Sequence, residues 1–82
     1  HLAIMYNHAL ALRELKQYPQ AAARLERIIA RESTNYSAWI NLYWTWMQAE
    51  SDKKATATLT KMREKFPESA EVVRLMAARG MK

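Results

Sequence analysis

The stretch Trp39-Ile40-Asn41-Leu42-Tyr43-Trp44-Thr45-Trp46, followed downstream by Ala55, Leu59 and Pro67, decides the fold. Large apolar side chains at Trp39, Leu42, Tyr43 and Trp46 recur at gaps of three and four residues, the spacing that gathers side chains on one face of an α-helix. Ala55, Leu59 and Met62 repeat that spacing, and Ser51-Asp52 between the two runs supplies turn and cap residues. The unit is therefore a helix, a short turn and a second helix. Pro67 stops it, because proline lacks a backbone donor and disfavours helix in the residue before it.

Working outward, a shift of 34 residues superposes Asn7 on Asn41, Ala21 on Ala55, Ala23 on Ala57 and Leu25 on Leu59. The same shift places Met5 over Trp39 and Val73, Leu10 over Trp44, Leu12 over Trp46 and Ile28 over Met62. These matches fall on the inward faces and preserve both turns, which identifies an internal helix-pair repeat. Five helices are expected. The first runs from Leu2 to about Leu15 with Leu2, Met5, Ala9, Leu12 and Leu15 inward. The second runs from Pro19, at the first helical position, to about Arg31 with Ala21, Leu25 and Ile28 inward. The third covers about Tyr36 to Glu50 and the fourth about Lys53 to Lys65. A short fifth helix, capped by Ser69, reaches Arg79, where Gly80 supplies a left-handed stop. The first repeat thus spans about residues 2–35, the second 36–69 and the terminal helix 70–79 of a single domain.

Composition agrees with an all-α reading. The 82 residues contain one Gly and two Pro, and β-branched residues dominate no stretch, so strands joined by tight turns are excluded. With 50% of residues hydrophobic and 26% charged, the chain is expected to fold as a soluble domain. No apolar run is long enough to span a membrane. A start at His1, without an initiator Met or leader, is expected of a mature product or of a piece cut from a longer protein.

The second unit, Trp39-x2-Leu42-Tyr43-x2-Trp46, then Ala55-x3-Leu59, then Pro67, resembles the tetratricopeptide repeat. The first unit is similar through Met5, Ala9, Leu12, Tyr18, Ala21, Leu25 and Ile28, with Ser33 where Pro is usual. The resemblance implies antiparallel helix pairs stacked as a right-handed superhelix, with small residues at Ala21 and Ala55 where the second helix of each pair crosses the first. Two positions depart from the pattern. Tyr43 stands where the family keeps Gly or a small residue, and His8 stands in a Leu position, where a buried neutral imidazole would need a hydrogen-bond partner.

The resemblance further implies a noncatalytic protein-interaction module that takes a peptide or helix of a partner protein in a concave groove, as part of a larger scaffold or assembly protein. The groove positions are Tyr6, Leu10 and Arg13 from the first unit, Ile40, Asn41, Trp44 and Met47 from the second, and Arg74 and Ala78 from the terminal helix. They lie away from the packing set Met5, Ala9, Leu12, Trp39, Tyr43 and Trp46, so the core does not demand their apolar character. Trp44 packed against a neighbouring helix is the alternative. Family members that hold a chaperone's C-terminal carboxylate use Lys, Arg and Asn on this face. Here only Asn41 matches, against Tyr6, Leu10, Glu71 and Leu75, which disfavours that ligand. Two and a half units also leave an end uncapped, open to self-association or to the rest of the protein.

The net charge of +5 raises a second possibility. Arg24, Arg27 and Arg31 are spaced by three and four, and the shift continues them as Lys61 and Lys65, a stripe on the outer, convex surface of the repeat. A solvated face explains it most simply; nucleic acid or a polyanion is the alternative, as is a domain that only spaces its neighbours. Chemistry finds no footing. There is no Cys, no converging carboxylate pair and no Gly-rich phosphate loop, and His1 and His8 have no third ligand, so neither an enzyme, a metal site nor a cofactor is expected. Ser33, Ser37, Ser51, Ser69 and Asp52 all read as helix caps.

Overall fold

A computed structural model describes residues 1–81. Five helices follow one another: α1 (Leu2–Glu14), α2 (Tyr18–Arg31), α3 (Tyr36–Gln48), α4 (Asp52–Lys65) and α5 (Ala70–Ala78). Among the described residues there is no strand, and each helix packs on the next in sequence. None of these helices is long and apolar enough to cross a membrane.

The 34-residue repeat extends to the backbone at the helix ends from Leu15 onward. Gln17 before α2 has φ −92° and ψ 69°, and Ser51 before α4 has φ −93° and ψ 74°. Glu32 and Phe66, which end those helices, have φ −129° and −127°. Asn35 and Ser69 both have φ −75° and accept from the backbone amide three residues on, Ala38 at 3.0 Å and Val72 at 3.2 Å. Helices α1, α3 and α5 all end in a Schellman turn. The amides of Gln17, Ser51 and Met81 reach back to the carbonyls of Leu12, Trp46 and Met76 at 2.8–2.9 Å. The left-handed residues of these turns are Lys16 (φ 62°), Glu50 (φ 58°) and Gly80 (φ 74°). A left-handed turn forms here even where the sequence offers Lys or Glu instead of Gly.

Several local expectations are corrected. The third helix ends at Gln48, two residues short of Glu50, because Glu50 carries the left-handed turn. The first ends at Glu14 for the same reason, and Leu15, expected inward, is 67% exposed as its C-cap. The second begins at Tyr18, ahead of Pro19, since first-turn amides have no intrahelical acceptor and Pro there forfeits no bond. Likewise the fourth begins at Asp52. Asp52 is therefore no cap; it sits in the first turn of α4, and its carboxylate accepts from Arg79. Ser51 occupies the cap position but makes no side-chain cap bond, and Asn35, not Ser33 or Ser37, caps α3. His8 is exposed and needs no buried partner; it lies on the flank of Ala9 opposite the half-buried Leu10.

The core runs through the middle of the chain. On α2, Ala21, Ala22, Leu25 and Ile28 are at most 1% exposed; on α4, Ala55, Leu59 and Met62 are 0% exposed. Between these helices α3 buries Ala38, Trp39, Leu42, Tyr43, Thr45 and Trp46. Three buried side-chain donors of α3 and α4 are satisfied locally. Trp39 Nε1 donates to the Ser33 carbonyl at 2.8 Å, Thr45 Oγ1 to the Asn41 carbonyl at 2.7 Å, and Thr58 Oγ1 to the Lys54 carbonyl at 2.8 Å.

Helix α5 has 9 residues where α1 and α3 have 13. Its C-cap, Arg79, folds back over the earlier helices. Nη1 donates to Met47 Sδ at 2.8 Å; Nη2 donates to the Asp52 carboxylate, to Thr56 Oγ1 at 2.9 Å and to the Asp52 carbonyl at 3.2 Å. The guanidinium carbon lies 6.0 Å from the Tyr43 ring centroid. The hydrogen bond to Asp52 raises the Arg79 pKa above its ordinary value, against the opposing effect of burial. One charged side chain thus joins the end of α3, the start of α4 and the end of α5. At the other end of α3, the Tyr36 ring meets Phe66 edge-on at 5.0 Å, and its hydroxyl donates to Glu71.

Two stability outcomes follow. Ala55→Leu forces extra methylenes into a fully buried position and should cost roughly 1–3 kcal/mol in urea denaturation. Arg79→Ala should cost about 1–2 kcal/mol through lost packing and charged hydrogen bonds, whereas Asp52→Asn should cost under about 1 kcal/mol, because the Asp52 side chain is 84% exposed. Equal losses for the Arg79 and Asp52 variants would contradict this account.

Candidate functional site

Spacings of three and four residues place Tyr6, Leu10 and Arg13 on one face of α1 and Ile40, Asn41, Trp44 and Met47 on one face of α3. The polar members meet across the two helices. Asn41 Nδ2 donates to Tyr6 Oη at 2.7 Å and to the Ser37 carbonyl at 2.8 Å, while Asn41 Oδ1 accepts from Arg13 Nη1 at 3.0 Å. Both amide hydrogens of Asn41 are thereby committed, so its task is to hold Tyr6 and Arg13 in place. The Tyr6 hydroxyl, accepting from Asn41, keeps its own proton to donate, and Arg13 keeps its remaining N–H groups.

The apolar members differ in exposure. Tyr6, Leu10, Ile40 and Met47 are half-buried, but Trp44 is 40% exposed between buried neighbours Tyr43 (1%) and Trp46 (8%). Its ring makes an edge contact with Tyr43 at 5.0 Å, leaving much of the indole open. Met47 is tied to Arg79, a residue the sequence reading did not single out. Arg74 and Ala78 are exposed on α5, and Arg74 lies near the Tyr36–Glu71 pair instead of joining the Tyr6–Asn41–Arg13 network. Burial, reinforced by the bond to Glu71, raises the Tyr36 pKa, so its hydroxyl is a neutral donor at physiological pH.

The basic stripe lies on the other two helices. Arg27, Arg31, Lys61 and Lys65 are exposed and Arg24 is half-buried; among the described residues none forms a salt bridge. Between α2 and α4 a cavity of about 580 Å³ opens onto α3, with Trp39, Leu42 and Trp46 at its floor, Ile29 and Glu26 on the α2 side and Lys54 and Lys61 on the α4 side. Lys54 Nζ stands 4.5 Å from the centre of the Trp46 ring. The sequence reading missed Lys54. Its spacing of seven from Lys61, two helical turns, was the available signal.

The comparisons with known proteins bear on the whole arrangement. Residues 12–78 match the family described as Tetratricopeptide repeat, a stretch that reaches from α1 to the last residue of α5. No curated protein and no solved structure matches the chain significantly. Repeats of this family generally mediate protein–protein interaction and are typically noncatalytic. With the helix pairs, the 34-residue backbone period and this match in agreement, the chain belongs to the tetratricopeptide-repeat family.

Proposed function

We propose that the chain is a noncatalytic module that binds a peptide or helix of a partner protein on the face formed by Tyr6, Leu10, Arg13, Ile40, Asn41, Trp44 and Met47, within a larger scaffold or assembly protein. The observation that carries this reading is the 40% exposure of Trp44 on a helix whose other two tryptophans are buried. Helix α3 contains no charged residue, and an exposed indole there loses free energy to water that only a second surface recovers. Around Trp44 the half-buried Ile40, Leu10 and Met47 supply more apolar surface. Tyr6 and Arg13, held by Asn41, supply oriented donors at its edge. An aromatic anchor with fixed polar groups beside it is the composition of a binding hot spot.

Arg74 belongs to this face only at its margin, where it would contact the flank of a ligand. Ile4, 68% exposed on α1, offers a second place for a protein neighbour.

Panning a phage-displayed library of random peptides on the chain tests the proposal. Selected peptides should bind wild type and lose about tenfold or more in affinity on Trp44→Ala, at an unchanged melting temperature, since truncating a central anchor costs a few kcal/mol of binding at most. Met47→Ala should weaken binding less cleanly, because it also removes the contact with Arg79. Selected peptides that bind Trp44→Ala as well as wild type would overturn the assignment, as would a large drop in melting temperature without a separate binding loss.

A further inference from the structure

The charge of the chain is segregated by helix. α2 carries three arginines against one glutamate, α4 carries five basic residues against two acidic ones, and over the rest of the chain the two signs balance. The whole net charge of +5 therefore sits on the two helices that flank the cavity over Trp39, Leu42 and Trp46. The α4 wall of that cavity bears Lys54 and Lys61, which make no salt bridge among the described residues. Its floor is apolar and aromatic, and at 100° per residue it lies on the side of α3 away from Trp44.

We infer that this cleft between α2 and α4 is a second docking site, for an extended acidic segment of a partner protein that carries an apolar side chain between two carboxylates. The lysines set the spacing. Two helical turns separate Lys54 from Lys61, about 10 Å along the axis. In an extended segment, residues i, i+2 and i+4 point to one side and span about 13 Å. Acidic groups at i and i+4 then reach the two flexible lysines, while an aliphatic or aromatic group at i+2 enters the cleft above Trp39 and Trp46. Glu26, on the opposite wall, repels a carboxylate and confines the acidic groups to the α4 side. The cleft favours a peptide over nucleic acid because its floor offers buried apolar surface for one side chain. A nucleic-acid backbone would need phosphate contacts on both walls, and Glu26 opposes them on one.

The test uses the isotope-labelled chain at low salt and a Gly/Ser peptide with Glu, Phe and Glu at alternating positions. Amide shifts in α2, α4 and around the Trp39 and Trp46 indoles should titrate together. Lys54→Gln with Lys61→Gln should weaken binding about tenfold, as expected for two partly screened charge pairs. Replacing the peptide's Phe by Ser should weaken it comparably, and Trp44→Ala should leave it unchanged, which separates this site from the face proposed above. Four results would overturn the inference: no shifts at millimolar peptide, shifts confined to the Trp44 face, equal binding of the peptide without Phe, or tighter binding of an oligothymidine that the lysine variant abolishes.

Discussion

Helix α3 is the constraint from which the remaining architecture follows. It contains no charged residue and three tryptophans, so it can be soluble only if other elements cover most of its circumference. The alanines of α2 and α4 make that possible. Ala22 and Ala55 are fully buried in the cluster that holds the α3 residues, and their small side chains let the flanking helices approach closely, while Leu25, Ile28, Leu59 and Met62 fill the space around Trp39, Leu42, Tyr43 and Trp46. The shift relates the α1–α2 pair to the α3–α4 pair, so α3 is covered by two different interfaces, α4 within its own repeat and α2 from the repeat before.

Covering an uncharged helix also decides where charge can go. The basic residues collect on α2 and α4, which shield α3 and face outward, and the apolar residue left uncovered, Trp44, emerges on the other side. The molecule thereby presents two chemically different faces. One offers an indole with oriented polar neighbours. The other offers lysines beside an aromatic-floored cleft. Repeats of the family to which the chain belongs are typically noncatalytic.

The shortened α5 adds a closing device. Arg79 reaches Met47, Asp52 and Thr56 from its C-cap, with Tyr43 beneath it. Tyr43, which stands where the family keeps a small residue, is accommodated at 1% exposure next to this clasp. Its one unsatisfied atom is the buried Arg79 Nε, among the described residues.

Periodicity alone determined the helix pairs, the 34-residue repeat and the inward set on α2, α3 and α4, because burial of a helix face leaves a one-dimensional record in the spacing of apolar residues. That record also picked out Trp44 and the Arg and Lys stripe as residues the core does not use. It could not place Arg79 on Asp52, since residues 27 apart meet only once two turns and a helix have brought them together. It missed Lys54, whose position over Trp46 depends on how α4 lies on α3. It could not place Asn41 between Tyr6 and Arg13, which belong to another helix. It ran the first and third helices too far, because Lys16 and Glu50 adopt a left-handed turn that their side chains do not announce. Spacing along the chain specifies which face of a helix is buried; which groups then meet across helices is set by packing angle and turn geometry, and these exist only in the folded chain.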